Sequence, residues 1–95
     1  MKINIFVSIE INYLESTKQE PLPMNYSLSW DQTKSPDFEA YMNNLMTTIL
    51  YAERSPEDVK EIKVNTIDVI KKKDVDYSQI IDFCKKNGIK CNAFG

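Results

Sequence analysis

Residues 35–52 read SPDFEAYMNNLMTTILYA. Phe38, Met42, Leu45, Met46, Ile49 and Leu50 fall at i, i+4, i+7, i+8, i+11 and i+12, the stripe that an amphipathic helix turns toward a core. The start of the stretch carries helix-opening chemistry. Ser35 suits the N-cap, and Pro36 suits the first helical position, where its missing N–H has no partner to lose. Asp37 and Glu39 place negative charge at the positive end of the helix dipole. The stretch therefore predicts one central helix with strands on either side.

Upstream, residues 2–14 contain no glycine or proline. Ile3, Ile5, Val7, Ile9, Ile11 and Tyr13 take every odd position between Asn4, Ser8, Glu10 and Asn12, the period of a half-buried strand. Phe6 alone breaks the alternation and is expected on the outer face. At about 3.3 Å per residue such a strand reaches roughly 40 Å, twice the usual length, so it either bends at a bulge or overhangs the sheet. Residues 15–23, ESTKQEPLP, read as a loop because proline donates nothing to a central ladder. Met24, Tyr26, Leu28 and Trp30 then alternate with polar residues in a second strand, which predicts an antiparallel pair with one packed and one wet face.

Downstream, Ser55-Pro56-Glu57-Asp58 forms a short turn or punctuates the helix end. Residues 61–71 read as a third strand whose apolar phase jumps from Ile62 and Val64 to Ile67 and Val69. A one-residue jump of this kind predicts a β-bulge near Asn65 or Thr66, the alternative being a strand buried on both faces. A second helix opens at Asp76, with Gln79 as capping-box partner and Val75 and Ile80 as a hydrophobic staple. It is expected to bury Tyr77, Ile80, Ile81 and Cys84, to carry Lys85 and Lys86 in its last turn, and to stop at Gly88. Ile89, Cys91 and Ala93 form a short last strand, with Phe94 covering an edge. The order β-β-α-β-α-β predicts an α+β (or α/β) two-layer sandwich: a mixed four-stranded sheet with two helices on one face, as a single domain over residues 1–95.

Composition narrows the chemistry. With no histidine, Ser-His and Cys-His catalysis and mixed Cys/His metal sites are excluded. The two glycines, Gly88 and Gly95, cannot build a phosphate-binding loop. Cys84 and Cys91 match no metal or redox spacing, and they are expected to neighbour one another as reduced thiols or as a disulfide. The carboxylate pairs Glu57/Asp58 and Asp74/Asp76 are accounted for by helix starts. No stretch approaches the ~18 apolar residues of a membrane span, and no export signal is evident, so a cytoplasmic protein without cofactor, metal or membrane partner is expected. An enzyme would need a cleft lined by carboxylates and tyrosines.

Two binding readings remain. The first is a small non-enzymatic protein-binding module, of the inhibitor, immunity or accessory kind that phages and other mobile elements encode. It would act through a sheet edge or an exposed surface, on a protein partner or a second copy of itself. An overhanging first strand offers such an edge at Ser8 and Glu10, and Phe6, Tyr41 and Tyr51 lie off the core stripes as candidate anchors. The second reading is nucleic-acid binding. Residues 1–61 hold ten acidic and five basic side chains, whereas residues 62–95 hold four and seven. Lys63, Lys71, Lys72, Lys73 and Lys90 would then contact phosphates.

Overall fold

The computed structural model describes residues 2–94 and orders them as β1 (Lys2–Tyr13), β2 (Leu22–Asp31), α1 (Phe38–Ala52), β3 (Val59–Ile70), α2 (Ser78–Asn87) and β4 (Lys90–Phe94), with 3-10 turns at Glu15–Thr17 and Pro56–Asp58. The predicted α+β sandwich is present. The sheet runs β2-β1-β3-β4, antiparallel at the first two junctions and parallel at the third. Ile3, Ile5, Val7, Ile9 and Ile11 are almost wholly buried on one face of β1 and share a core with Trp30, Phe38, Met42, Ile49, Ile80, Phe83 and Cys84. Both helices therefore cover that face. The other face, carrying Asn4, Phe6, Ser8 and Glu10, is open.

β1 does not overhang the sheet. It is one of the two inner strands, paired with β2 over residues 2–11 and with β3 over residues 5–13. The physical reason is its apolar face: five consecutive inward residues are best buried where a neighbour flanks each side. β2 is an edge strand and begins at Leu22, so Pro23 sits inside it opposite Glu10. A proline is tolerated there because an edge strand can spare a donor.

The predicted bulge falls at Asn65. Ser8 pairs with Thr66 and Ile9 with Val64, which leaves Asn65 as the extra residue, and a second shift leaves Lys60 extra between Glu61 and Val59. The first bulge returns both halves of β3 to the core face, so Val64 and Ile67 are both buried despite lying an odd number of residues apart.

The helix starts differ from the sequence reading. α1 begins at Phe38, with Asp37 as N-cap, its Oδ1 accepting from the Glu39 N–H at 3.0 Å. Ser35 and Pro36 stay outside because their carbonyls are used elsewhere. The Trp30 indole N–H donates to the Ser35 carbonyl at 2.7 Å, and the Gln79 amide donates to that of Pro36 at 2.9 Å. Gln79 is thus no capping-box partner of Asp76. Its Oε1 instead accepts from the Phe38 N–H at 2.9 Å, so one side chain from α2 holds the first turn of α1. Asp76 accepts from the Ser78 N–H, which holds its carboxyl below the usual range. On α2 the buried residues are Ile80, Phe83 and Cys84, whereas Ile81 is 42% exposed. The helical stripe runs i, i+3, i+4, and Ile81 lies one residue off it. α2 ends at Gly88, whose φ of 64° is the left-handed conformation that glycine adopts without strain.

Deleting Asn65 removes the extra residue, leaves Thr66 and Val64 opposite Ser8 and Ile9, and puts Ile62, Val64, Ile67 and Val69 in unbroken alternation on the core face. The variant should therefore keep the fold, with urea unfolding followed by Trp30 fluorescence within about 1 kcal/mol of wild type. Asn65→Ala keeps the register and should stay within about 0.5 kcal/mol of wild type.

Candidate functional site

β4 is five residues long and β3 is twelve. β4 pairs with Thr66 through Ile70, so among the described residues no strand pairs with residues 59–65 of β3 on that side. This stretch starts at the end of the sheet reached by Tyr13 and stops at the Asn65 bulge. Its backbone donors and acceptors on the free side form a strand edge.

The helix layer leaves a groove beside it. α2 has ten residues and spans about 15 Å, and its C-terminal end, at Phe83, Asn87 and Gly88, comes no farther along β3 than the depression it shares with residues 61–64. α1 passes over the first half of β3 at a distance. A depression of about 240 Å³ lies between Met46, Thr47 and Leu50 of α1 and residues 59–62 of β3. A second, of about 230 Å³, shares Met46, Glu61 and Ile62 with it and continues to Phe83, Gly88 and Ile89 at the end of α2. Ile62 pairs with buried Ile11 and faces this groove from the helix side of the sheet, whereas Glu61 and Lys63, opposite Asn12 and Glu10, are exposed on the open face.

The structure scatters the anchors expected from sequence. Ser8 and Glu10 offer no strand edge, because β1 is paired on both sides; they lie on the open face. There the Ser8 hydroxyl donates to Asn25 Oδ1 at 2.9 Å, and Glu10 sits between Pro23 and Lys63. Phe6 is on the open face as predicted, 45% exposed between Ser27 and Asp68. Tyr41 is not an exposed aromatic. It is half-buried against Phe38 and Trp30, with ring centroids 6.2 and 6.5 Å away. Tyr51 is exposed near the end of α1, in the helix layer and across the sheet from Phe6.

The lysines do not form one patch either. Lys63 and Lys90 are on the open face, Lys90 beside Thr66. Lys71, Lys72 and Lys73 lie in the turn after β3, eight or more residues from Lys63, or about 26 Å along the strand. That turn is pinned at both ends of its first step: the Lys71 N–H donates to the Phe94 carbonyl at 2.6 Å, and the Lys72 N–H donates to the Tyr77 hydroxyl. Lys86 is paired with Glu39 at 3.0 Å.

A polar depression of about 200 Å³ does occur, lined by Tyr13, Gln19, Glu53, Arg54, Ser55 and Asp58. It contains the carboxylates and tyrosine that an enzyme reading asks for. Its best-defined bond, Tyr13 hydroxyl to Glu53 Oε1 at 2.8 Å, ties the end of β1 to the end of α1. That hydrogen bond, reinforced by desolvation and the Glu53 charge, raises the Tyr13 pKa and keeps the phenol protonated. Among the described residues no three His, Cys, Asp or Glu side chains converge as metal ligands, and no helix is long and apolar enough to cross a membrane.

Cys84 and Cys91 are free and adjacent, one in the core and one half-buried on β4. Burial pushes the Cys84 thiol up to about 12, and the Cys91 thiol beside it adds to the shift. Iodoacetamide at pH 8 is expected to modify Cys91 and spare Cys84 in the folded protein, as peptide masses will show. The folded pKa of Cys84 exceeds the ordinary thiol value of 9.0. Its contribution to stability is thus complete below about pH 9 and lost as the pH rises toward 12. A Cys84→Ala variant should lack that alkaline loss in denaturation measured across the same range.

Comparison of the chain with protein-family models, with curated proteins and with solved structures yields no match.

Proposed function

We propose that this protein is a small non-enzymatic protein-binding module that takes an extended polypeptide segment as an added strand along residues 59–65 of β3. One observation carries the reading: an unpaired strand edge lies directly beside a groove to which Met46, Leu50, Val59 and Ile62 bring apolar side chains. Strand addition needs both parts. Backbone hydrogen bonds along the edge supply affinity without regard to sequence, and a groove on one side admits alternate side chains and supplies selection. An inhibitor, immunity or accessory role is consistent with such a surface, because each requires recognition and no chemistry.

The other edges are less suited. β2 follows Pro21 and carries Pro23 as its second residue, which removes a donor from that end of the strand, and β4 offers only five residues. The open face carries Phe6 and Phe94, but the residues between them on neighbouring strands include Asp68 and Asn92, which hydrogen-bond to each other at 2.8 Å.

Short peptides selected from a random display library on the immobilised protein should be apolar at alternate positions. They should shift the amide resonances of residues 59–65 and the side-chain methyl resonances of Met46, Leu50 and Ile62. Peptides that instead shift Phe6 and Phe94, or a selection that enriches nothing, would overturn the proposal.

A further inference from the structure

The free stretch of β3 is self-complementary, and we infer that its occupant is the same stretch of a second copy, paired antiparallel about a two-fold axis at Ile62. The inference rests on the strand-docking reading above and names the partner. Residues 59–65 are centred on Ile62. In an antiparallel pair related by an axis normal to the sheet, residues opposite one another share a face, so the axis must pass through a residue of the stretch. An axis at Glu61 sets Glu61 against the partner's Glu61, and one at Lys63 sets Lys63 against the partner's Lys63. Of these three the axis at Ile62 alone avoids like charges, and an axis at Val64, which avoids them too, would need Thr66, the residue already beside β4. It places Glu61 opposite the partner's Lys63 and Lys63 opposite the partner's Glu61, both pairs on the open face.

The rest of the fold fits that register. Ile62 meets the partner's Ile62 on the helix side, where the groove beneath Met46 and Leu50 is open to receive it. Thr66, the first residue paired with β4, falls opposite position 58 of the partner, one residue before the start of β3, so β4 itself stays outside the central window of residues 61–63, while the Gly88–Ile89 turn that leads into it lines the groove beside that window. Exposed lysines and bulges normally discourage promiscuous pairing at an edge. Here the bulges at Lys60 and Asn65 fall opposite Val64 and Val59 of the partner and confine regular pairing to residues 61–63, and within that window a second copy brings an acid to Lys63. The result is a continuous sheet across two copies, with both helical layers on one side.

Sedimentation equilibrium on the full chain tests the inference. Glu61 and Lys63 are exposed, so charge-swapped variants should keep the fold, which circular dichroism will verify. The wild-type chain is expected to dimerise reversibly. Glu61→Lys and Lys63→Glu should each weaken the dimer roughly 30-fold, because both symmetric pairs turn from attraction to repulsion. The double variant, and an equimolar mixture of the two single variants, should recover it. A wild-type chain that stays monomeric to its solubility limit overturns the second copy as occupant, while peptide selection judges strand docking separately. Single variants that dimerise as tightly as wild type place the contact on another surface and overturn it equally.

Discussion

The bulge at Asn65 is the constraint from which the working surface follows. β3 must present Ile62 and Val64 on one side of it and Ile67 and Val69 on the other, all toward the same core. Strand geometry alternates faces strictly, so one residue has to be left over. The consequence extends past packing, because β4 begins to pair at Thr66, immediately after the bulge. The bulge thus divides β3 into a half closed by β4 and a half with a free edge.

Rigid polar and aromatic contacts hold the closed end. Trp30 is fully buried, packs edge-on to Phe38 at 4.8 Å, and gives its indole N–H to the Ser35 carbonyl. Phe38 in turn meets Phe83 edge-on at 5.4 Å, which joins the two helices. Gln79 adds two hydrogen bonds across the same junction, to backbone groups that the helix start would otherwise leave without partners. With both helix starts fixed there, the end of α1 rises over the far end of β3, held by buried Ile49 and, among the described residues, by the Tyr13–Glu53 hydrogen bond. The groove lies at that end. Strand addition would supply there what the chain itself does not: backbone partners for β3 and apolar cover for Ile62.

Much of the fold was legible in the chain. Periods of two and 3.6 placed every strand and both helices, and the phase jump in β3 located the bulge. The departures have one common cause, which is that a local pattern does not say which distant group will take a given hydrogen bond. Ser35 and Pro36 look like a helix start until Trp30 and Gln79 claim their carbonyls. Gln79 looks like a capping-box residue until the first turn of α1 is brought to it. Strand order is non-local in the same sense: the alternation of β1 shows that one face is buried, but not that both edges are paired, so Ser8 and Glu10 seemed available. Tyr41 lies off the stripe of its own helix and is covered by Trp30 from another element. The groove left one trace in the sequence that could have been used. A last strand of five residues beside a third strand of twelve must leave part of the longer one without a neighbour.

Amide hydrogen exchange along β3, followed residue by residue in dilute and concentrated protein, addresses the free edge itself. If residues 59–65 form the docking edge between copies, their outward-pointing amides exchange freely when dilute and slow as the concentration rises. Amides of residues 66–70, already beside β4, stay unchanged. Exchange in residues 59–65 that is independent of concentration, or slowing confined to β2, would contradict the account.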